Sequence, residues 1–358
     1  MVSDPGGPAG GVMPCARPPP SGGVSRVVRR RVLSVLAAAA VSINPDDPLT
    51  GLVVGEQPEP AVPDGWVTVS VKAAALNHHD LFSLKGVGLP EERLPMILGC
   101  DAAGVTADGT EVLIHAVIGD PAAGGGDETL DPKRTLLSEL HPGTLAEQVA
   151  VPARNLVPKP ASLSWEEAAC LPTAWLTAYR MLFTRAGLPA EGGGKVLIQG
   201  AGGGVASAAI LLAKAAGHTV FVTSRDEAKR KRALDLGADA ALETGGRVPT
   251  RVDAVIETVG AATWGHSLKS LRPGGTLVCS GATSGPNPPA DLTRIFFLQL
   301  NVLGSTMGTR DELVALVAFL DRTGVRPLID DVRPLADARA SFERMAEGEL
   351  YGKLVLTV

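Results

Sequence analysis

The sequence predicts an α/β fold in which a doubly wound parallel sheet is joined to a β-rich domain, and three observations carry that prediction. From Lys195 onward short apolar runs alternate with helical patterns, as a parallel sheet with crossover helices requires. Before that point the period is two: Val67, Val69 and Val71 alternate with polar residues, and a second β-rich stretch runs from Leu98 to Ile118, broken at Asp108-Gly109. Between the two textures lies a glycine cluster, Gly200-Ala201-Gly202-Gly203-Gly204, placed directly after a buried strand and at the start of a helix.

Composition limits the function classes. The 358 residues are enough for two ordinary domains, and 45% hydrophobic with 20% charged residues is globular rather than disordered. A net charge of -5 offers no basic face to nucleic acid. No apolar run approaches the ~20 residues of a membrane helix. The expected partner is therefore a small-molecule substrate, with neither nucleic acid nor membrane. Cys15, Cys100, Cys170 and Cys279 are scattered without metal-like spacing and read as reduced thiols of a cytoplasmic protein.

Residues 1–31, rich in Gly, Pro and Ser, read as a disordered leader. Arg29-Arg30-Arg31 before the apolar run Val32 to Val41 has the form of a secretory signal. The preferred reading makes Ala38 to Ser42 the first strand, entering the turn at Asn44-Pro45-Asp46-Asp47-Pro48. A β-rich domain then fills 32–162, with a long loop at 119–142. Ser164 is the expected N-cap of a helix from Trp165 to Ala169, whose first turn carries Glu166 and Glu167. The second domain, 163–300, holds strands at Val196–Gln199, Val220–Thr223, Ala254–Glu257 and Thr276–Cys279. Its helices are expected at Val205–Ala216, Asp226–Leu236 and around Thr263–Leu271. The segment 301–358 adds an edge strand, a helix from Arg310 to Arg322 and a last strand, Lys353–Val358, expected to return to the first domain.

Strand, glycine loop, helix and second strand in that order define a Rossmann dinucleotide site. Glycines permit the tight turn and the close approach of a pyrophosphate to the helix N-terminus. Gly200, Gly203, Gly204 and Val205 are the expected loop contacts, and Ala206 stands where a third glycine is common. An NAD-preferring site places a carboxylate at the end of the second strand. Here that place is taken by Thr223-Ser224-Arg225, while Asp226 reads as an N-cap. Ser224, Arg225 and Lys229 are suited to a 2′-phosphate, so NADPH is the expected cofactor.

These residues, in this order, resemble the medium-chain dehydrogenase/reductase superfamily of alcohol dehydrogenases and quinone reductases. The likeness is carried by Val71-Lys72-Ala73-Ala74-Ala75-Leu76-Asn77-His78-His79-Asp80, Leu98-Gly99-Cys100-Asp101-Ala102-Ala103-Gly104 and Glu167-Ala168-Ala169-Cys170-Leu171-Pro172. Leu176-Thr177-Ala178-Tyr179, the glycine loop and Leu268 to Gly275 complete it. The resemblance implies that the β-rich domain is GroES-like and catalytic, and that the enzyme is a homodimer or homotetramer. It places Thr177 near the nicotinamide, with Val259, Ala282, Leu303 and Ser305 around its pocket.

Zinc-dependent members hold their metal with a Cys, a His with a neighbouring Glu, and a second Cys. Those positions fall here on Asn77, on Cys100 with Asp101, and on Thr173, so no zinc is expected. Without that Lewis acid, hydride transfer to an activated acceptor such as a quinone or an α,β-unsaturated carbonyl remains, needing only hydrogen-bond donors and a proton source. Asn77 is the expected donor and His79 the expected acid, with Asp80 structural and Arg310 a surface charge. The alternatives are an alcohol dehydrogenase with substituted zinc ligands and a non-catalytic NADPH-binding protein.

Overall fold

A computed structural model describes residues 34–348 and 350–358, all within the unit Leu33–Val358. The expected leader at 1–31 lies outside the described residues. Among them no helix is long and apolar enough to cross a membrane.

The dinucleotide half is a six-stranded parallel sheet. Its order in space is Ala240–Leu242, Thr219–Thr223, Lys195–Gln199, Val252–Glu257, Leu271–Cys279, Asn301–Gly304. In chain order this is 3-2-1-4-5-6, the arrangement that opens a crevice where the strand sequence reverses, beyond the ends of the first and fourth strands. The central strands are apolar on both faces, with Val196, Leu197, Ile198, Ala254, Val255 and Ile256 all buried. Helix Gly204–Ala216 covers one face and ends at Gly217, which adopts φ +89°. Asp226 caps Glu227–Asp235 by accepting from the Lys229 amide at 3.1 Å.

The β-rich half is a mixed sheet ordered Leu156–Pro158, Glu111–Ile114, Asp101–Thr106, Trp66–Ala75, Lys353–Thr357, Ile329–Pro334, with Gln148–Pro152 pairing along Trp66–Ala75. The last strand thus pairs antiparallel with Trp66–Ala75, at Val355 opposite Ala75. One core joins the halves: Ala73, Ala75 and Leu113 share a cluster with Trp175, Ile198 and Val355. Ser164 and Glu167 exchange hydrogen bonds of 3.1 and 2.9 Å, the capping box that starts the helix between the halves.

Several features differ from the sequence reading, among them strand Leu52–Pro58 and helices His78–Leu84 and Leu292–Phe297, which it did not contain. The first strand is Ser34–Ala40 rather than Ala38–Ser42, because Ala37 to Ala40 are buried against Leu52–Pro58 whereas Val41 and Ser42 are exposed. Strand Ile329–Pro334 and helix Ala338–Glu347 were not anticipated. The strand lies at a sheet edge and is laced with ion pairs, Arg333 to Asp331 and Arg344 to Asp330, so its hydrophobic period is weak. The loop 119–142 also has structure of its own: Val117–Ile118 pairs with Thr135–Leu136, and a short turn of helix spans Glu128–Leu130.

Candidate active site

The first strand of the parallel sheet ends at Gln199, and the chain then turns through Gly200 at φ +87°, a conformation a side chain would strain. The turn delivers Gly203 and Gly204 to the N-terminus of helix Gly204–Ala216, whose free amides and positive dipole end face a cleft of about 890 Å³. Gly200, Gly203, Gly204, Val205, Ser224, Arg225, Lys229, Val259 and Ala282 all line this cleft. Asn77, His79, Thr177, Leu303 and Ser305 are not among its lining residues. Thr177 is buried in Leu176–Tyr179, Leu303 pairs with Val278 in the sheet, and the Ser305 amide donates to the Cys279 carbonyl.

At one end of the cleft the second strand is followed by Ser224 and Arg225 rather than a carboxylate, and Asp226 is spent capping the next helix. Arg225 is exposed, and its guanidinium makes no hydrogen bond among the described residues. Lys229 donates to the Gly348 carbonyl at 2.9 Å, and Arg230 braces the Ser224 carbonyl at 2.7 Å. On the far wall Glu257, fully buried, accepts from the amides of Val259 and Gly260 and from the hydroxyls of Thr263 and Ser267. These bonds fix the backbone that carries Val259. The cleft has room and donors for a dinucleotide: a glycine cradle, a helix N-terminus and a free guanidinium beyond the second strand.

Across the cleft, helix His78–Leu84 presents His78 and Phe82 to the cavity, two residues that sequence reasoning did not select. Burial, reinforced by the nearby Lys353 ammonium, lowers the His78 pKa. Asp80 holds the helix start: it accepts from the backbone N–H of Asn77 at 2.8 Å and from that of Gly99 at 3.0 Å. Burial pushes its carboxyl up to about 6.

His79 points elsewhere. Its Nε2 meets Glu139 at 2.8 Å, and its Nδ1 lies 3.6 Å from the Cys100 sulfur. Burial opposes protonation of this imidazole, but Cys100, Glu139 and Asp80 outweigh it and raise the His79 pKa well above the usual value. Cys100 itself donates to the Leu137 carbonyl at 3.3 Å, and burial pushes its thiol up.

Next to this pair is a cation that sequence reasoning missed. Lys353, 3% exposed, donates to the Leu76 carbonyl at 2.7 Å, to Asn77 Oδ1 at 2.7 Å and to Asp101 Oδ2 at 2.9 Å. A signal was available: a lysine opening the buried run Leu354-Val355-Leu356 needs a carboxylate partner. Thr173, in a wide helical turn at Leu171–Trp175, has its hydroxyl buried without a hydrogen-bond partner among the described residues.

A crevice of this form, facing a second sheet that supplies a buried polar centre, defines a two-part dinucleotide-dependent oxidoreductase. Residues 63–161 match the family model described as alcohol dehydrogenase GroES-like domain, and 204–322 the one described as zinc-binding dehydrogenase. An alcohol dehydrogenase of Geobacillus stearothermophilus is 30% identical over 339 residues, spanning 86% of this chain and 96% of the relative. The solved structure of an NAD-dependent alcohol dehydrogenase superposes with a TM-score of 0.81 at 33% identity, covering 90% of this chain and 99% of that one. A 2-octenoyl-CoA carboxylase reductase solved with NADP and 2-octenoyl-CoA gives a TM-score of 0.83 at 26% identity, covering 90% of this chain and 87% of that one. The chain belongs to the medium-chain dehydrogenase/reductase superfamily.

Proposed function

We propose that this protein is an NADPH-dependent reductase of activated double bonds, enoyl thioesters and enones foremost with quinones as a related class, working without zinc. The observation that carries the reading is the donor set at the polar centre. Cys100 is its one thiol, Asn77 has committed its amide oxygen to Lys353, and the cation beside Asp101 is an ammonium. Zinc needs three protein ligands of the Cys, His or carboxylate kind, and a buried ammonium repels a second cation. The residues present do not fit the metal.

NADPH is supported by Ser224, the uncommitted Arg225 and Lys229, and by the NADP complex of the octenoyl-CoA relative. When bound, the reduced nicotinamide supplies the hydride. The residues of this chain handle the charge that follows. As hydride reaches the β-carbon, negative charge gathers on the carbonyl oxygen, and the Asn77 amide N–H is the donor for it. His79 is the proton reservoir for the α-carbon through an intervening solvent molecule, because the ring itself faces Glu139 and Cys100 and does not line the cleft. Its Nε2–H is tied to Glu139, whereas its Nδ1–H meets only a sulfur at 3.6 Å and is the proton more readily released. Val259, Ala282 and the glycine loop position the dinucleotide without reacting.

The test is an NADPH-oxidation screen over enoyl thioesters, enones, quinones and aldehydes, each run with and without a chelator. Turnover of enoyl or quinone substrates unaffected by chelation is expected. Activity confined to aldehydes and abolished by chelation would overturn the reading, as would tight NADPH binding with no turnover at all.

We further propose a homodimer built on the open edge of the parallel sheet. Among the described residues Asn301–Gly304 pairs only with Leu271–Cys279, and beside it Phe296 and Phe297 are 68% and 78% exposed. Light scattering on Phe296→Glu/Phe297→Glu tests it: the variant is expected to run as a monomer. A reducing cytoplasm suits both an NADPH enzyme and the free thiols of Cys100, Cys170 and Cys279.

A further inference from the structure

The assignment of Asn77 as the oxyanion donor leaves open what turns its amide the right way. An asparagine side chain offers an oxygen on one side and an NH₂ on the other, and a flip would present an acceptor to a developing negative charge. We infer that Lys353 is the positioning residue for this reaction: its buried ammonium holds Oδ1 of the Asn77 side chain and so leaves Nδ2, the donor, as the atom available to the acceptor. This deepens the reading of Asn77 proposed above and rests on it.

An ammonium only donates, so the Asn77 atom 2.7 Å from Lys353 Nζ must be the oxygen. The nitrogen then finds just the Ala75 carbonyl at 3.5 Å, at the limit of a hydrogen bond, which leaves amide protons uncommitted. Lys353 is not itself the proton donor. It has three N–H bonds and three acceptors, the Leu76 carbonyl, Asn77 Oδ1 and Asp101 Oδ2. Asp101, fully buried, supplies the negative charge that keeps the ammonium in place. The stem of the lysine serves a second purpose. A Cβ added to Gly204 would lie 3.0 Å from Lys353 Cδ and 3.2 Å from Ala174 Cβ, so the lysine packs directly against the nucleotide loop. One side chain therefore spans from the nucleotide loop at Gly204 to the Asn77 side chain.

The experiment compares Asn77→Ala, Lys353→Met, Lys353→Arg, the pair Lys353→Met/Asp101→Asn, and Lys353→Met/Asn77→Ala, at saturating NADPH with whichever enoyl or quinone acceptor the wild type turns over. Asn77→Ala is expected to lower kcat on the order of 100-fold. Lys353→Met/Asp101→Asn removes both buried charges together, so it is expected to fold, and it keeps the read-out valid if Lys353→Met alone does not. Its kcat is expected to fall at least about 10-fold while the Kd for NADPH stays within about twofold, because the amide is free to flip. Adding Lys353→Met, or Lys353→Met/Asp101→Asn if the former does not fold, to Asn77→Ala should cost nothing further, and Lys353→Arg should recover part of the loss seen with Asn77 in place. Wild-type kcat in the charge-free pair overturns the inference, since a lysine that merely balances charge would give that result. Fully multiplicative losses overturn it too. Unchanged kcat in Asn77→Ala overturns instead the reading of Asn77 on which it stands.

Discussion

The two ends of the cleft hold their positive charges in opposite ways. Beyond the second strand Arg225 is exposed, and Lys229 rests on a single carbonyl. At the polar centre Lys353 is 3% exposed and every proton it carries has an acceptor. An exposed cation waits for an anion from solution, is screened by salt and can be exchanged at little cost to folding. A buried one is part of the frame. It sets geometry, and removing its partner leaves an uncompensated charge inside the protein. The same kind of group thus recognises a ligand at one end and builds the site at the other.

The largest test of that contrast falls on the buried side. Asp101→Ala strands the Lys353 ammonium and is expected to cost about 3–5 kcal/mol, read from denaturant unfolding, whereas Arg225→Ala should leave the unfolding midpoint in place. The mirror experiment falls on ligand preference. Ser224→Asp with Arg225→Ala should reduce NADPH affinity roughly 10- to 100-fold and leave NADH affinity nearly unchanged. NADPH affinity of the wild type should weaken with added salt while kcat does not, and an equal response of both would erase the distinction drawn here.

His79 gives an intermediate case, half-buried and titratable. Cys100, Glu139 and Asp80 outweigh burial and raise its pKa well above the ordinary imidazole value, so its proton is lost as pH rises through the raised value. The rate of reduction should therefore fall on the alkaline side. Glu139→Gln removes one of the groups that raise the pKa and should shift that descending limb to lower pH. A pH–rate profile unmoved by this change would separate His79 from the chemistry. The smallest effect is expected at the join between the halves: Ser164→Ala breaks the capping box and should cost about 1 kcal/mol of stability with no change in kcat.

The parallel sheet was readable because each of its elements carries its own signal: buried runs, a cap at Asp226, and glycines at the turn. The β-rich half was readable where residues alternate, as in Trp66–Ala75, and unreadable at Ile329–Pro334, where an edge strand satisfies itself with ion pairs. The glycine loop with Ser224, Arg225 and Lys229 could be placed on one cleft from local order alone. Lys353 could not, since its partners Asn77 and Asp101 are 276 and 252 residues away in the chain, and only the sheet pairing brings them together. His79 and His78 show the same limit at short range. Adjacent in sequence, they diverge from one helix turn, His78 toward the cleft and His79 toward Glu139.

The pairing of Lys353–Thr357 with Trp66–Ala75 also dictates an order of events during synthesis. Gln148–Pro152 pairs along residues 66–70, but the whole dinucleotide half must be made before Lys353–Thr357 reaches residues 73–75. Until then Asp101 has no counter-ion and an edge of the sheet stands open. The polar centre is thus assembled only after the cofactor half has been translated.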